Sequence, residues 1–158
     1  MLLFLLRHGD ASQEAFSDRQ RPLSEEGKIS ISRIAQYIAS NRIDLTKIIT
    51  SPLLRAWQTA QIVAEHLRLD DKIEESDLLL SDSNPDDIIC ELLKFNNDEK
   101  ILLVSHQPFL GILISHLICK GFANIEVRKA SLTCVEIEQP VSSGKGVLRF
   151  LLNLENIN

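Results

Sequence analysis

Cysteine is scarce in this chain and forms no pattern. Cys90, Cys119 and Cys134 are the only three among 158 residues. Their odd number and scattered spacing argue against a disulfide framework and fit a reducing, cytoplasmic setting. No Cys-x-x-Cys, no His-x-His and no closely spaced histidine pair occurs, so neither a metal site nor another cofactor is expected. Long apolar runs are missing too. Residues 1–6 are apolar, but Arg7-His8 ends the run too early for a membrane span or a signal sequence, and no basic segment precedes it. There is no phosphate-binding P-loop and no G-x-S-x-G nucleophile elbow. An excess of basic charge is absent: 17 Lys and Arg stand against 22 Asp and Glu, a formal net charge of −5. That balance argues against nucleic-acid binding. No repeat, low-complexity tract or long linker divides the chain, so residues 1–158 are expected to form one domain.

What is present reads as alternating strands and helices. Residues 2–7 form a continuous apolar run, as in a parallel strand covered on both faces. Lys47–Thr50 and Ile101–Ser105 are two similar short runs. Between them, Ile31, Ile34, Ala35 and Ile38 repeat at helical spacing. So do Ala56, Ala60, Val63, Ala64 and Leu67, and later Leu110, Leu113, Ile114 and Leu117. Residues 85–95 give a shorter helical pattern. Ser24 is placed as a helix N-cap, Ser51-Pro52 as N-cap and first helical residue, and Pro108 near another helix start. Leu132–Glu138 and Val147–Leu154 flank a turn-rich segment and predict a late hairpin. The expected fold is a three-layer α/β/α sandwich whose sheet is mostly parallel with an antiparallel edge.

In such sheets ligands sit beyond the carboxyl ends of the strands. Arg7-His8-Gly9 follows the first strand, Ser51 to Arg55 follows the second, and Ser105-His106 follows the third. Three strand ends therefore deliver Arg7, His8, Arg55 and His106 to one edge. Two guanidiniums and two imidazoles suit a phosphoryl dianion, because arginine offers a planar fork to its oxygens. Arg55 falls in the first turn of its helix, where backbone N–H groups also favour an anion. A neutral imidazole can attack phosphorus and carry the phosphoryl group covalently. The neighbouring arginines are expected to disfavour the imidazolium and keep that nucleophile neutral. The second histidine can donate a hydrogen bond to the phosphoryl oxygens. Gly9 is expected to let backbone approach the ligand closely. His66 and His116 lie beside their apolar stripes and read as surface residues. Ser51 and Ser105 read as a helix start and a strand end, not as nucleophiles.

Leu6-Arg7-His8-Gly9, Ser51-Pro52-Leu53-Leu54-Arg55-Ala56-Trp57-Gln58-Thr59-Ala60 and Val104-Ser105-His106 resemble the three signature blocks of the histidine phosphatase superfamily, also called phosphoglycerate-mutase-like. Arg7 to Ala11, Ser17-Asp18 and Arg21-Pro22-Leu23-Ser24 resemble the SixA-type phosphohistidine phosphatases within it. The likeness runs from residue 1 to about residue 120. It implies that His8 is the phosphorylated nucleophile, that Arg7, Arg55 and His106 complete the phosphate pocket, and that Arg21 is a further phosphate or substrate contact. Asp77 falls roughly where larger members carry the general acid near an inserted lid. Here that stretch is short.

A site without lid or firm acid favours a phosphoramidate over an ester, since a protonated nitrogen leaves easily and an alkoxide does not. The expected activity is a metal-independent phosphohistidine phosphatase acting on a histidine-phosphorylated protein, a phosphotransfer domain or carrier. The chain is expected to be a cytoplasmic monomer without nucleic-acid or membrane partners. A small-molecule phosphomonoesterase and a non-catalytic phosphate-binding module are the alternatives.

Overall fold

The computed structural model describes residues 1–157 of the chain. Six strands form one sheet: β1 (Leu2–Arg7), β2 (Lys47–Thr50), β3 (Ile73–Glu75), β4 (Lys100–Ser105), β5 (Leu132–Glu136) and β6 (Val147–Leu152). Their spatial order is β3-β2-β4-β1-β5-β6. Pairing is parallel from β3 through β1, and β5 and β6 add an antiparallel edge. Four helices connect them: α1 (Glu25–Ser40), α2 (Leu54–Leu67), α3 (Pro85–Leu92) and α4 (Phe109–Ile118). The expected architecture is therefore found. The short strand β3 had no sequence signature: it has three residues, and two of them, Glu74 and Glu75, are exposed.

The alternation of side chains along a strand builds the two outer layers. Leu3 and Leu5 of β1, with Leu103 of β4, pack in one cluster with residues of α3 and α4. Phe4 and Leu6, with Leu102 and Val104, pack in the other with α1 and α2. Each fully buried Leu or Ile stabilises the fold by roughly 1.5–3 kcal/mol. An exposed pair such as Lys28–Glu25 contributes at most about 1 kcal/mol. The two apolar faces, rather than surface charge, hold the layers together. Among the described residues, no helix is long and apolar enough to cross a membrane.

Local signals hold at two helix starts and fail at one. Ser24 caps α1, its hydroxyl accepting from the Gly27 N–H at 3.0 Å. Pro108 immediately precedes α4. Ser51-Pro52 does not open α2, which starts at Leu54 with Leu53 in the cap position and no side-chain cap. The Ser51 hydroxyl lies instead beside a histidine ring, described below.

Candidate active site

Strand register brings the two histidines together. Arg7 lies opposite Ser105 across the parallel β1–β4 pair, so the next residue of each strand, His8 and His106, emerges beside the other. Their ring centroids are 5.0 Å apart. Thr50 lies opposite Val104 on the other side of β4, which brings Ser51 to the same edge. The His106 Nε2 sits 2.7 Å from the Ser51 Oγ. Arg55, the second residue of α2, is buried and reaches the loop that follows β1. Its Nη1 donates to the Asp18 carbonyl at 2.7 Å and its Nη2 to the Asp18 carboxylate at 3.0 Å.

Hydrogen bonding defines how His8 presents itself. Its Nδ1 is 2.7 Å from the Gly9 carbonyl. A carbonyl only accepts, so Nδ1 carries the proton and, in the neutral ring, Nε2 keeps its lone pair. The Gly9 N–H in turn donates to the Thr59 hydroxyl at 3.4 Å, which donates to the Arg55 carbonyl at 2.8 Å. Arg7 extends Nη1 to the Val127 carbonyl at 2.8 Å, while its buried Nε has no partner. The buried Nδ1 of His106 is also unpartnered. Two polar atoms of the predicted pocket thus lie buried and unused.

Burial and positive charge keep both rings neutral. The His8 pKa falls to about 4, first because burial removes its solvation and then because Arg55, Arg7 and Lys129 repel a proton. Burial is the larger cause, and it adds to the effect of the arginines expected from sequence. The His106 pKa falls to about 3, again by burial first, then by His8 and the arginines, against the Asp18 carboxylate. The Asp18 carboxyl is held below its ordinary range, chiefly by its hydrogen bond from Arg55.

Arg7, His8, Arg55 and His106 are the predicted residues that the fold gathers. Arg21 lies in the neighbouring loop and holds that loop in shape: its Nε donates to the Ser12 carbonyl at 2.9 Å and its Nη1 to Asp18 at 3.2 Å. Asp77 is exposed in the turn after β3, and its backbone carbonyl, not its carboxylate, bonds Leu80 and Ser83. Its turn abuts the strand ends that carry the site, with the Ser76 N–H donating to the Thr50 carbonyl at 2.9 Å and the Ser105 hydroxyl to the Leu79 carbonyl at 2.6 Å. Gly9 meets packing rather than open pocket, since a Cβ there would sit 2.7 Å from the Gly27 carbonyl of α1. Asp18, Thr59 and Ser51 are the neighbours to which sequence reasoning assigned no part in the site. All three lie inside the motif blocks quoted above, but their parts depend on contacts between distant segments. Among the described residues, no group of three or more His, Cys, Asp or Glu is placed to hold a metal ion.

Comparison with known proteins gives the family. Residues 3–79 match the model of the histidine phosphatase superfamily (branch 1). The chain is 30% identical over 126 residues to the phosphohistidine phosphatase SixA homolog of Haemophilus influenzae, covering 74% of this chain and 77% of that protein. The chain belongs to the histidine phosphatase superfamily. It is also 27% identical over 159 residues to the phosphohistidine phosphatase SixA of Escherichia coli strain K12, covering 99% of this chain and 96% of that one. A solved structure of the protein histidine phosphatase SixA complexed with tungstate superposes with a TM-score of 0.91 at 26% identity, over 100% of both chains. This histidine phosphatase is thus SixA-like in sequence and in fold.

Two histidines buried neutral have a consequence for stability. Above pH 6.5 the folded and unfolded phosphatase both hold neutral rings. As pH falls from 6.5 toward 4, the unfolded chain takes up protons that the folded chain refuses, so stability drops. At about 1.4 kcal/mol per pH unit, the fall from 6.5 to about 4 amounts to roughly 3 kcal/mol for His8. The lowered carboxyls of Asp10 and Asp18 prolong the loss at lower pH. Urea unfolding at pH 7, 5.5 and 4.5 should show a midpoint that declines steadily. An unchanged midpoint would mean that the rings are protonated in the folded state.

Proposed function

We propose that this chain hydrolyses phosphohistidine on a protein through a phospho-His8 intermediate. The His8 Nε2 lone pair attacks phosphorus and the bond from phosphorus to the substrate imidazole nitrogen breaks. The substrate leaves as neutral imidazole when its ring nitrogen remote from phosphorus is already protonated, and otherwise takes a proton from solvent as it departs. Water then attacks phospho-His8 and inorganic phosphate departs, returning the neutral ring. Arg7 and Arg55 neutralise the equatorial oxygens and His106 donates to one of them. Arg21 shapes the loop that borders the incoming substrate. Asp77 has no essential part, because a phosphoramidate nitrogen needs no strong acid to leave.

The observation that carries this reading is the His8 ring itself. It is neutral at working pH, with Nδ1 held by the Gly9 carbonyl and Nε2 left to react. One feature supports a protein substrate. Phe16 stands fully in water, at 105% relative exposure, two residues from the Asp18 that binds Arg55. An aromatic ring beside an anion site is a suitable anchor for a protein surface. A histidine-phosphorylated phosphotransfer domain or carrier fits this description.

The test compares phosphate release from a histidine-phosphorylated protein with release from sugar phosphates, in EDTA. Faster release from the phosphoprotein is expected, and a clear preference for sugar phosphates would replace this reading with a small-ester phosphatase. Phe16→Ala should raise KM for the phosphoprotein roughly tenfold and leave turnover of p-nitrophenyl phosphate unchanged. Equal effects on both substrates would show that Phe16 acts on the pocket and not on a partner.

A further inference from the structure

We propose that Ser51 is a positioning residue that sets the tautomer of His106 and so leaves a ring N–H free for the phosphoryl oxygens. The proposal rests on the phosphatase reading for its purpose, but its geometry stands without a substrate. Ser51 is completely buried and His106 is 2% exposed. The Ser51 Oγ lies 2.7 Å from the His106 Nε2. The same oxygen accepts the Leu53 N–H at 3.4 Å.

Donors and acceptors then decide the arrangement. A hydroxyl has one hydrogen to donate, and a neutral imidazole has one N–H and one lone pair. If His106 carried its proton on Nε2, that N–H would donate to Ser51. The serine hydrogen would then lack the acceptor that the ring supplies, and the buried Nδ1 lone pair would lack a donor. If Ser51 donates to Nε2 instead, the serine oxygen keeps its bond from Leu53 and the ring proton moves to Nδ1. Only the Nδ1–H is then left over. Unmade hydrogen bonds in buried positions are costly, so the arrangement with one orphan prevails over the one with two. The low His106 pKa, about 3, removes the doubly protonated ring from consideration at neutral pH.

The leftover group has the polarity the site requires. Phosphoryl oxygens only accept hydrogen bonds, so an N–H attracts them where a bare lone pair would repel them. The unpartnered Nδ1 of His106 is therefore a stored donor, fixed by a serine on a different strand end. This also accounts for Ser51 not capping α2, since its hydroxyl lies between the Leu53 N–H and the imidazole.

The experiment reads the tautomer directly. Protein labelled with 15N in its histidine rings is examined by long-range proton–nitrogen correlation, without substrate and then with vanadate. The expected spectrum shows His106 protonated on Nδ1, with that proton shifting when vanadate binds. Ser51→Ala should give mixed or reversed tautomers and lower kcat by at least about tenfold, an effect of the size expected for loss of a histidine-orienting partner. Ser51→Thr, which keeps the hydroxyl, should restore both. A wild-type ring protonated on Nε2, or a Ser51→Ala protein with unchanged tautomer and kcat, would overturn the proposal. The wild-type spectrum is informative even where the alanine variant folds poorly. It is also informative if no phosphatase activity is found, so the two readings fail separately.

Discussion

His8→Ala should lower phosphate release by roughly four orders of magnitude or more, because a covalent route cannot begin without its nucleophile. No other residue of the site can replace it. The His106 Nε2 is engaged with Ser51, and Arg7 and Arg55 have no lone pair to offer. The loss should come with intact folding. His8 is buried as a neutral ring with one hydrogen bond to the adjacent carbonyl, and its removal eliminates one group that resists protonation. The variant should therefore lose less stability than the wild type between pH 6.5 and 4. Phosphate release in EDTA, with samples quenched in alkaline detergent and probed for acid-labile, base-stable phosphohistidine on the enzyme, provides the check. Near-normal turnover by His8→Ala would remove the covalent mechanism outright. Turnover that is lost while wild-type activity survives EDTA would support it.

Arg55→Ala should lower kcat/KM by about a thousandfold, the scale seen when a preorganised donor to a developing oxyanion is deleted. Arg55 is placed for a charged ligand at real expense, being buried with its fork directed to Asp18 at 2.7 and 3.0 Å. Deleting it removes positive charge beside both rings and leaves the Asp18 carboxylate next to an anion site. Both changes oppose phosphate. Arg55→Lys should recover little, since an ammonium cannot reproduce two parallel N–H contacts. Because Arg55 also helps hold the His8 and His106 pKa values down, the acid limb of the rate profile should move to higher pH in Arg55→Ala. Inhibition by vanadate, measured alongside kcat, separates lost binding from lost chemistry. A variant that binds vanadate as tightly as the wild type would place Arg55 outside the phosphate pocket.

Much of the site was legible because its parts are tied to regular elements. An apolar strand that stops at Arg7-His8-Gly9, and another that stops at Ser105-His106, can be placed at one edge by the rule for parallel sheets alone. Arg55 follows from its position at the start of an amphipathic helix. Local pattern was weaker wherever a polar side chain had a choice of partners. Ser51 before Pro52 has the form of a helix cap, yet its hydroxyl lies against His106, 55 positions away in the chain. Arg21 is expected from the resemblance as a phosphate or substrate contact, and its guanidinium bonds Ser12 and the same Asp18 carboxylate that pairs with Arg55. Asp77 matched a position in sequence order, and it lies exposed in the turn after β3, the outermost strand on its side of the sheet.

By itself the sequence determined the periodicities, and with them the strands, helices and three-layer order, because burial of alternating and helical faces is a local property of spacing. It also determined which residue types arrive at the strand ends. Tertiary structure decided the rest: that burial rather than the arginines is the main cause of the neutral His8, that Asp18 closes on Arg55, and that Ser51 meets His106. Those outcomes depend on distances between segments far apart in the chain and on how much water each group loses, and neither quantity is written in the order of residues.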